Sequence, residues 1–169
     1  MAGVARAAEE LAAALEREAA AWQDQGEASQ VLCDALLHHD APGILAAAAR
    51  QQVLSGGGPA GPDVTASWQR LCAALDLVAD PGPELLLQAL RAAGADTAAQ
   101  RLLGAATALA EATARVARLN AGNIALARQG LAFTTFALRC LTAADAIAPT
   151  YTAAGRAEGQ GRRVIDAVI

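Results

Sequence analysis

The longest helical pattern in the chain, over residues 102–141, constrains its fold more than any other feature. Two series of apolar residues at seven-residue spacing run along it. The first is continuous and comprises Ala105, Ala112, Leu119, Leu126, Phe133 and Cys140. The second begins with Leu102, Leu109 and Val116, then shifts by one residue to Ile124, Leu131 and Leu138. A straight α-helix drifts against a seven-residue repeat in this direction. The pattern therefore predicts one uninterrupted helix that ends before Pro149.

Asn120 and Asn123 lie where the second series shifts. A polar side chain in the seam between helices can set their register, and this is one interpretation of the two asparagines. The other interpretation is a polar notch on a surface that binds a partner. The sequence leaves both interpretations open.

Further helical patterns cover residues 4–37, about 43–54, 64–78 and 84–93. Breaks rich in glycine and proline separate them, and Gly26 weakens the centre of the first pattern. The sequence predicts an all-α fold, an elongated antiparallel bundle of two long and two shorter helices with left-handed coiled-coil-like packing. Residues 1–149 are expected to form a single domain with a flexible loop at 55–63. Residues 150–169 are expected to be a tail that is flexible or ordered by a partner.

Charge and composition exclude several classes of protein. The chain has 13 basic residues, all arginine, against 17 acidic ones, and the net charge of −4 argues against a nucleic-acid partner. Alanine is the commonest residue and aromatics make up only 3%, so we expect a thin core with closely spaced helices. No apolar run is long enough for stable membrane insertion, and the first residues do not resemble a signal peptide. A cytoplasmic location is expected.

The residues that commonly carry chemistry form no convincing catalytic, cofactor-binding or metal site. Cys33, Cys72 and Cys140 are far apart and have apolar neighbours, which predicts buried thiols without zinc or disulfides. His38 and His39 lie at a helix end, where histidine interacts favourably with the helix dipole. A histidine phosphotransfer module that uses His38 or His39 stays an alternative, although such domains place a lysine after the histidine and this chain has none. A structural coiled-coil adaptor is a further alternative. We expect no enzyme.

The tail after Pro149 differs in character from the bundle. Tyr151 is the only tyrosine in the chain, and a glycine-rich segment with Arg162 and Arg163 follows it. The last residues are apolar at positions that would share one face of a helix: Val164, Ile165, Val168 and Ile169. Such a tail either folds back on the bundle or orders on a partner.

Two of these segments together resemble a known family. Leu119-Asn120-Ala121-Gly122-Asn123, a long apolar helical stretch and then Pro149-Thr150-Tyr151-Thr152-Ala153-Ala154-Gly155 are similar to the C-terminal third of the FlgN-like flagellar export chaperones. In that family the last long helix carries a Leu-Asn-x-x-Asn-Gly segment. A Tyr-Gly-x-x-Gly motif and a glycine-rich, basic tail follow.

The resemblance implies a cytosolic, non-enzymatic chaperone of the flagellar type III secretion system. Its partners would be hook–filament junction proteins, whose helical ends it shields, and components of the flagellar export gate. It would be a monomer or a weak homodimer. By this resemblance Tyr151 is expected to dock at the gate. The other partner-binding residues expected are Asn120, Asn123, Ile124, Leu131, Leu138, Val164, Ile165, Val168 and Ile169.

Overall fold

The computed structural model of the chain describes residues 2–55, 62–77, 81–147, 150–151 and 157–158. Its helices are α1 (Ala2–Leu37), α2 (Ala41–Ser55), α3 (Pro62–Ala74), α4 (Pro83–Ala92) and α5 (Asp96–Ile147). Two-residue strands, β1 (Thr150–Tyr151) and β2 (Ala157–Glu158), pair antiparallel. The all-α prediction is confirmed. The described residues contain three shorter helices, one for each of the shorter patterns, although the predicted bundle counted only two. The helix predicted over 84–93 begins at Pro83, in the first-turn position that proline tolerates.

Three helices end in the same way, with one residue in the left-handed conformation. His39, Asp76 and Gly94 have φ values of 54°, 54° and 70° after α1, α3 and α4. At each, the next amide bonds back to a carbonyl five residues earlier, as Leu77 does to Cys72 at 3.0 Å. These bonds satisfy carbonyls that the end of the helix leaves unpaired. They also end α3 at Ala74, earlier than residue 78, where the sequence pattern placed the end.

The two long helices run parallel, which corrects the prediction of a wholly antiparallel bundle. Glu16 of α1 forms an ion pair with Arg101 of α5 at 2.8 Å. Further along both helices, Ser29 of α1 donates a hydrogen bond to Asn120 of α5 at 3.0 Å. Residue numbers therefore increase in the same direction along α1 and α5.

The shorter helices α2 and α3 run antiparallel to α1. Contacts pair Gln25 of α1 with Ser55, and Ser29 of α1 with Gln51. Ion pairs join α1 to α3, from Arg17 to Asp63 and from Glu10 to Arg70. Thus α2 lies against the second half of α1 and α3 against the first half. The chain therefore runs up along α1, down along α2 and then α3, and up again along α5. The parallel order of α1 and α5 follows from this path.

The core is thin, as the composition predicts. Leu11, Leu71 and Leu90 are almost completely buried, where α1, α3, α4 and α5 meet. Most other buried residues of this cluster are alanines, including Ala8, Ala12, Ala98, Ala99 and Ala105. An alanine buries little apolar area, so the few leucines provide most of the burial energy, about 1.5–3 kcal/mol each.

The described contacts divide the chain into two units, Met1–Ile124 and Ala125–Ile169. The division falls inside α5. A helix can continue across such a boundary because its hydrogen bonds are local and need no tertiary partner. Within the described residues, no helix is long and apolar enough to cross a membrane.

Candidate functional site

The second unit carries large apolar side chains that are exposed on α5. Leu131 and Phe136 are 69% and 65% exposed. The other exposed members are Phe133, Leu138 and Leu141. A helix that is apolar on all sides is normally buried, and a large exposed apolar surface marks an interaction site. This part of α5 is the strongest candidate for a binding surface among the described residues.

One face of this segment has a defined shape. A shallow hollow is lined by Arg128, Leu131, Ala132, Thr135, Phe136 and Arg139. Their spacing of three, four, seven, eight and eleven residues from the first places all six on one side of a helix. We call this set the arginine-flanked face. The Thr135 hydroxyl donates to the Leu131 carbonyl at 2.8 Å, so its one donor is already used within the helix and only its oxygen lone pairs remain free to accept.

The predicted partner-binding residues fall into three groups. Leu131 and Leu138 are exposed in the second unit, and Ile124 is exposed at the end of the first, so all three are accessible for the predicted role. Tyr151 lies in β1 and pairs with Ala157 of β2. The remaining tail residues predicted to bind a partner lie outside the described residues: Val164, Ile165, Val168 and Ile169.

The two asparagines form the third group and lie inside the first unit. Asn123 is 5% exposed and donates a hydrogen bond to the backbone carbonyl of Ser29 at 2.8 Å. This burial does not fit the partner contact predicted for Asn123. It agrees with the alternative interpretation, a polar residue that sets the register between helices.

Asn120 belongs to a polar cluster that joins three helices. Its side-chain oxygen accepts hydrogen bonds from the Ser29 hydroxyl of α1 at 3.0 Å and from the Gln51 amide of α2 at 3.2 Å. Gln51 also donates to the Ser29 hydroxyl at 2.6 Å. Asn120 is therefore engaged by neighbours in the bundle, which also favours a structural role. Sequence reasoning missed Gln51, although Ser29 at a core-type position signalled that a polar partner was needed.

A cavity of about 250 Å³ adjoins this cluster in the first unit. Its described lining comprises Glu18, Ala21, Trp22, Gln25, Leu54, Ser55, Val116 and Asn120. The Trp22 ring nitrogen donates to Glu18 at 3.2 Å, and Gln25 donates to Ser55 at 3.2 Å. These residues supply hydroxyl, amide and carboxylate groups without a histidine or cysteine.

The histidines are exposed at the end of α1, as the sequence indicated. The Nδ1 atom of His38 lies 2.7 Å from the backbone oxygen of Asp34, and His39 occupies the left-handed position that ends the helix. The His38 contact and the His39 backbone conformation both belong to the end of α1. In the part of the chain that the structure describes, no three histidine, cysteine or acidic residues are grouped as metal ligands.

The cysteines are not all buried, which corrects the sequence prediction. Cys72 is buried, Cys33 is half-buried and Cys140 is exposed. Cys140 belongs to the unbroken seven-residue series, which predicted a position in the core. Burial along that series stops because a continued pattern on one helix does not ensure a neighbouring helix to cover it.

Comparisons of the chain with protein-family models, curated proteins and solved structures gave no match.

Proposed function

We propose that the protein is a cytosolic export chaperone of the flagellar type III secretion system. It binds the helical terminus of hook–filament junction proteins, prevents their premature self-association and delivers them to the export gate. The exposed apolar surface of α5 is the observation that carries this proposal. The resemblance of Asn120–Asn123 and Tyr151 to the motifs of FlgN-like chaperones supports it.

The chemistry of the surface suits a helical client. Leu131 and Phe136 are mostly exposed and Leu138 is half exposed. Covering a fully exposed side chain of this size contributes roughly 1.5–3 kcal/mol when burial is complete. An amphipathic helix covers such a surface through residues on successive turns. The client's own apolar helix would then be shielded from other copies of itself, which is the task of an export chaperone.

The remaining parts have separate roles in this proposal. The first unit is the scaffold, in which the seven-residue spacing along α5 supports left-handed coiled-coil-like packing. Tyr151 contacts the export gate. Residues 150–169 assist client binding or delivery, and the protein is a monomer or weak homodimer that acts without a cofactor.

A pair of matched variants tests the client surface. Leu131→Gln combined with Phe136→Gln is expected to weaken binding of purified hook–filament junction proteins at least tenfold. Leu45→Gln combined with Val53→Gln removes two equally exposed apolar side chains from α2 and is expected to leave binding unchanged. Isothermal titration calorimetry measures both. Equal affinities for the two double variants would contradict the proposal.

The tail is tested by truncation and by one substitution. Deleting residues 150–169 is expected to leave the bundle folded while weakening client binding or delivery.

Tyr151→Ala is expected to keep client binding but to export the client poorly, since the contact of Tyr151 is with the gate. Motility and secretion assays in a strain that carries only the variant measure the effect. Full motility with Tyr151→Ala would exclude the gate role.

A further inference from the structure

Charge is distributed unevenly along α5. Residues 112–144 contain four arginines, Arg115, Arg118, Arg128 and Arg139, and no acidic residue. The chain as a whole has a net charge of −4, so this basic segment contrasts with the rest of the molecule. A concentrated positive charge beside exposed apolar side chains attracts a partner of opposite charge.

Two of these arginines flank the exposed apolar strip. Arg128 and Arg139 begin and end the arginine-flanked face, with Leu131, Ala132 and Phe136 between them. Eleven residues of α-helix separate the two arginines by about 16 Å, or three turns, so both side chains project from the same side. None of the ion pairs among described residues involves either arginine. Both side chains are exposed.

We propose that the arginine-flanked face binds an acidic amphipathic helix of a partner protein. The helix has two carboxylates eleven residues apart and apolar side chains on the two turns between them. Its apolar side chains cover Leu131 and Phe136, and its carboxylates pair with Arg128 and Arg139. The inference rests on the proposed function and specifies the chemistry of the client helix.

Charge argues against the two occupants that the chain itself could supply. A second copy joined through the same face would bring the arginines of both copies together, and like charges across an interface oppose association. The chain's own apolar tail carries Arg162 and Arg163 directly before Val164. It would therefore add positive charge to a face that is already basic.

Synthetic peptides test this recognition on the full-length protein. The acidic probe is an amphipathic helical peptide of alanine and leucine with glutamates eleven residues apart. The comparison probes replace both glutamates with glutamine or with lysine, or place them seven residues apart. Fluorescence anisotropy at low salt is expected to show the eleven-residue acidic peptide binding about fivefold more tightly than the glutamine peptide. It should bind more tightly still than the lysine peptide, and the advantage should shrink at high salt.

Charge reversal of the protein locates the effect. Arg128→Glu combined with Arg139→Glu is expected to invert the preference, so that the lysine peptide binds better than the acidic one. Arg115→Glu combined with Arg118→Glu changes the net charge equally on exposed sites outside the face and should keep the original preference. Equal inversion by both double variants, or no inversion by the first, would overturn the inference.

The peptide results also separate this inference from the proposed function. Equal binding of the acidic and glutamine peptides would overturn the charge-based recognition while leaving apolar client binding in place. Failure to bind junction proteins, with the acidic preference retained, would refute only the flagellar role. Binding of none of the peptides, or self-association through this face in light scattering, would also overturn the inference.

Discussion

The Asn123 side-chain amide donates a hydrogen bond to the backbone carbonyl of Ser29 at 2.8 Å, and this bond joins α5 to α1 in the interior of the first unit. The other end of the amide, the Asn123 Oδ1 atom, is buried without a hydrogen-bond partner among the described residues. Turning the amide over would place two oxygens against each other. The bond therefore fixes both the side-chain orientation and the register between the two parallel helices.

Asn123→Ala is expected to lower the free energy of unfolding by about 1 kcal/mol, because it removes this interhelical bond and leaves space in the interior. The control is Gly122→Ala, at an exposed position where an added Cβ meets no atom within 4 Å. It should raise stability by roughly 0.5–1 kcal/mol through helix propensity alone. Equilibrium urea denaturation measures both variants. Equal stability of the two would contradict a register role for Asn123.

Gln51 and Asn120 are expected to be energetically coupled. Their side chains meet at 3.2 Å and both bond to the Ser29 hydroxyl, so removing either one disturbs the partners of the other. A double-mutant cycle with Gln51→Ala and Asn120→Ala should give a coupling of about 0.5–1.5 kcal/mol. The same cycle between Gln51 and Arg101, which share no contact partner, serves as the reference. Strict additivity would show that the Gln51 and Asn120 side chains do not stabilise each other.

The glycines of α1 and α2 should respond to alanine by different amounts. An added Cβ at Gly26 would meet Val116 at 3.5 Å, an ordinary contact, so Gly26→Ala should stabilise the protein by about 1 kcal/mol. At Gly43 the added Cβ would overlap the Asp40 carboxylate at the start of α2. Gly43→Ala must therefore displace that exposed side chain, and it should raise stability less than Gly26→Ala does. Thermal denaturation measures the two shifts, and a lower melting temperature for Gly26→Ala would contradict the contact geometry.

The ion pair between Glu16 and Arg101 predicts a small pH dependence of stability. Hydrogen bonding and the charge of Arg101 hold the pKa of Glu16 below its ordinary value of 4.5. A carboxylate with a lowered pKa in the folded state stabilises the protein above its unfolded pKa, and this contribution is lost as the pH falls through the folded pKa. Glu16→Gln should therefore melt slightly lower than the parent protein at pH 7, and the difference should shrink below pH 4.5 and vanish below the folded pKa of Glu16.

Glu84 is exposed and takes part in none of the ion pairs between described residues, so it provides the control for this pH series. Glu84→Gln changes the same charge without removing the Arg101 pair. A difference between parent and Glu16→Gln that persists unchanged at pH 3 would show that the pair is not its cause.

Local signals were sufficient to predict most helices. The seven-residue series and the absence of proline predicted that α5 continues past Asn123 to within a few residues of Pro149, and it ends at Ile147. Gly94 and Pro83 mark the boundaries of α4 where residue-specific backbone preferences place them. These features depend on backbone angles and on hydrogen bonds within one segment, which neighbouring residues determine.

Contacts between segments could not be predicted in the same way. The parallel order of α1 and α5 depends on α2 and α3 both descending along α1, which no single helical pattern encodes. The face of α5 that meets α1 decides that Asn123 is buried beside Ser29. The sequence by itself determined where the chain is helical and which residues on each helix are apolar. Only the tertiary structure decided which apolar residues are covered, because burial requires a neighbouring element. Phe133 remains exposed in the same seven-residue series that buries Ala105 and Ala112.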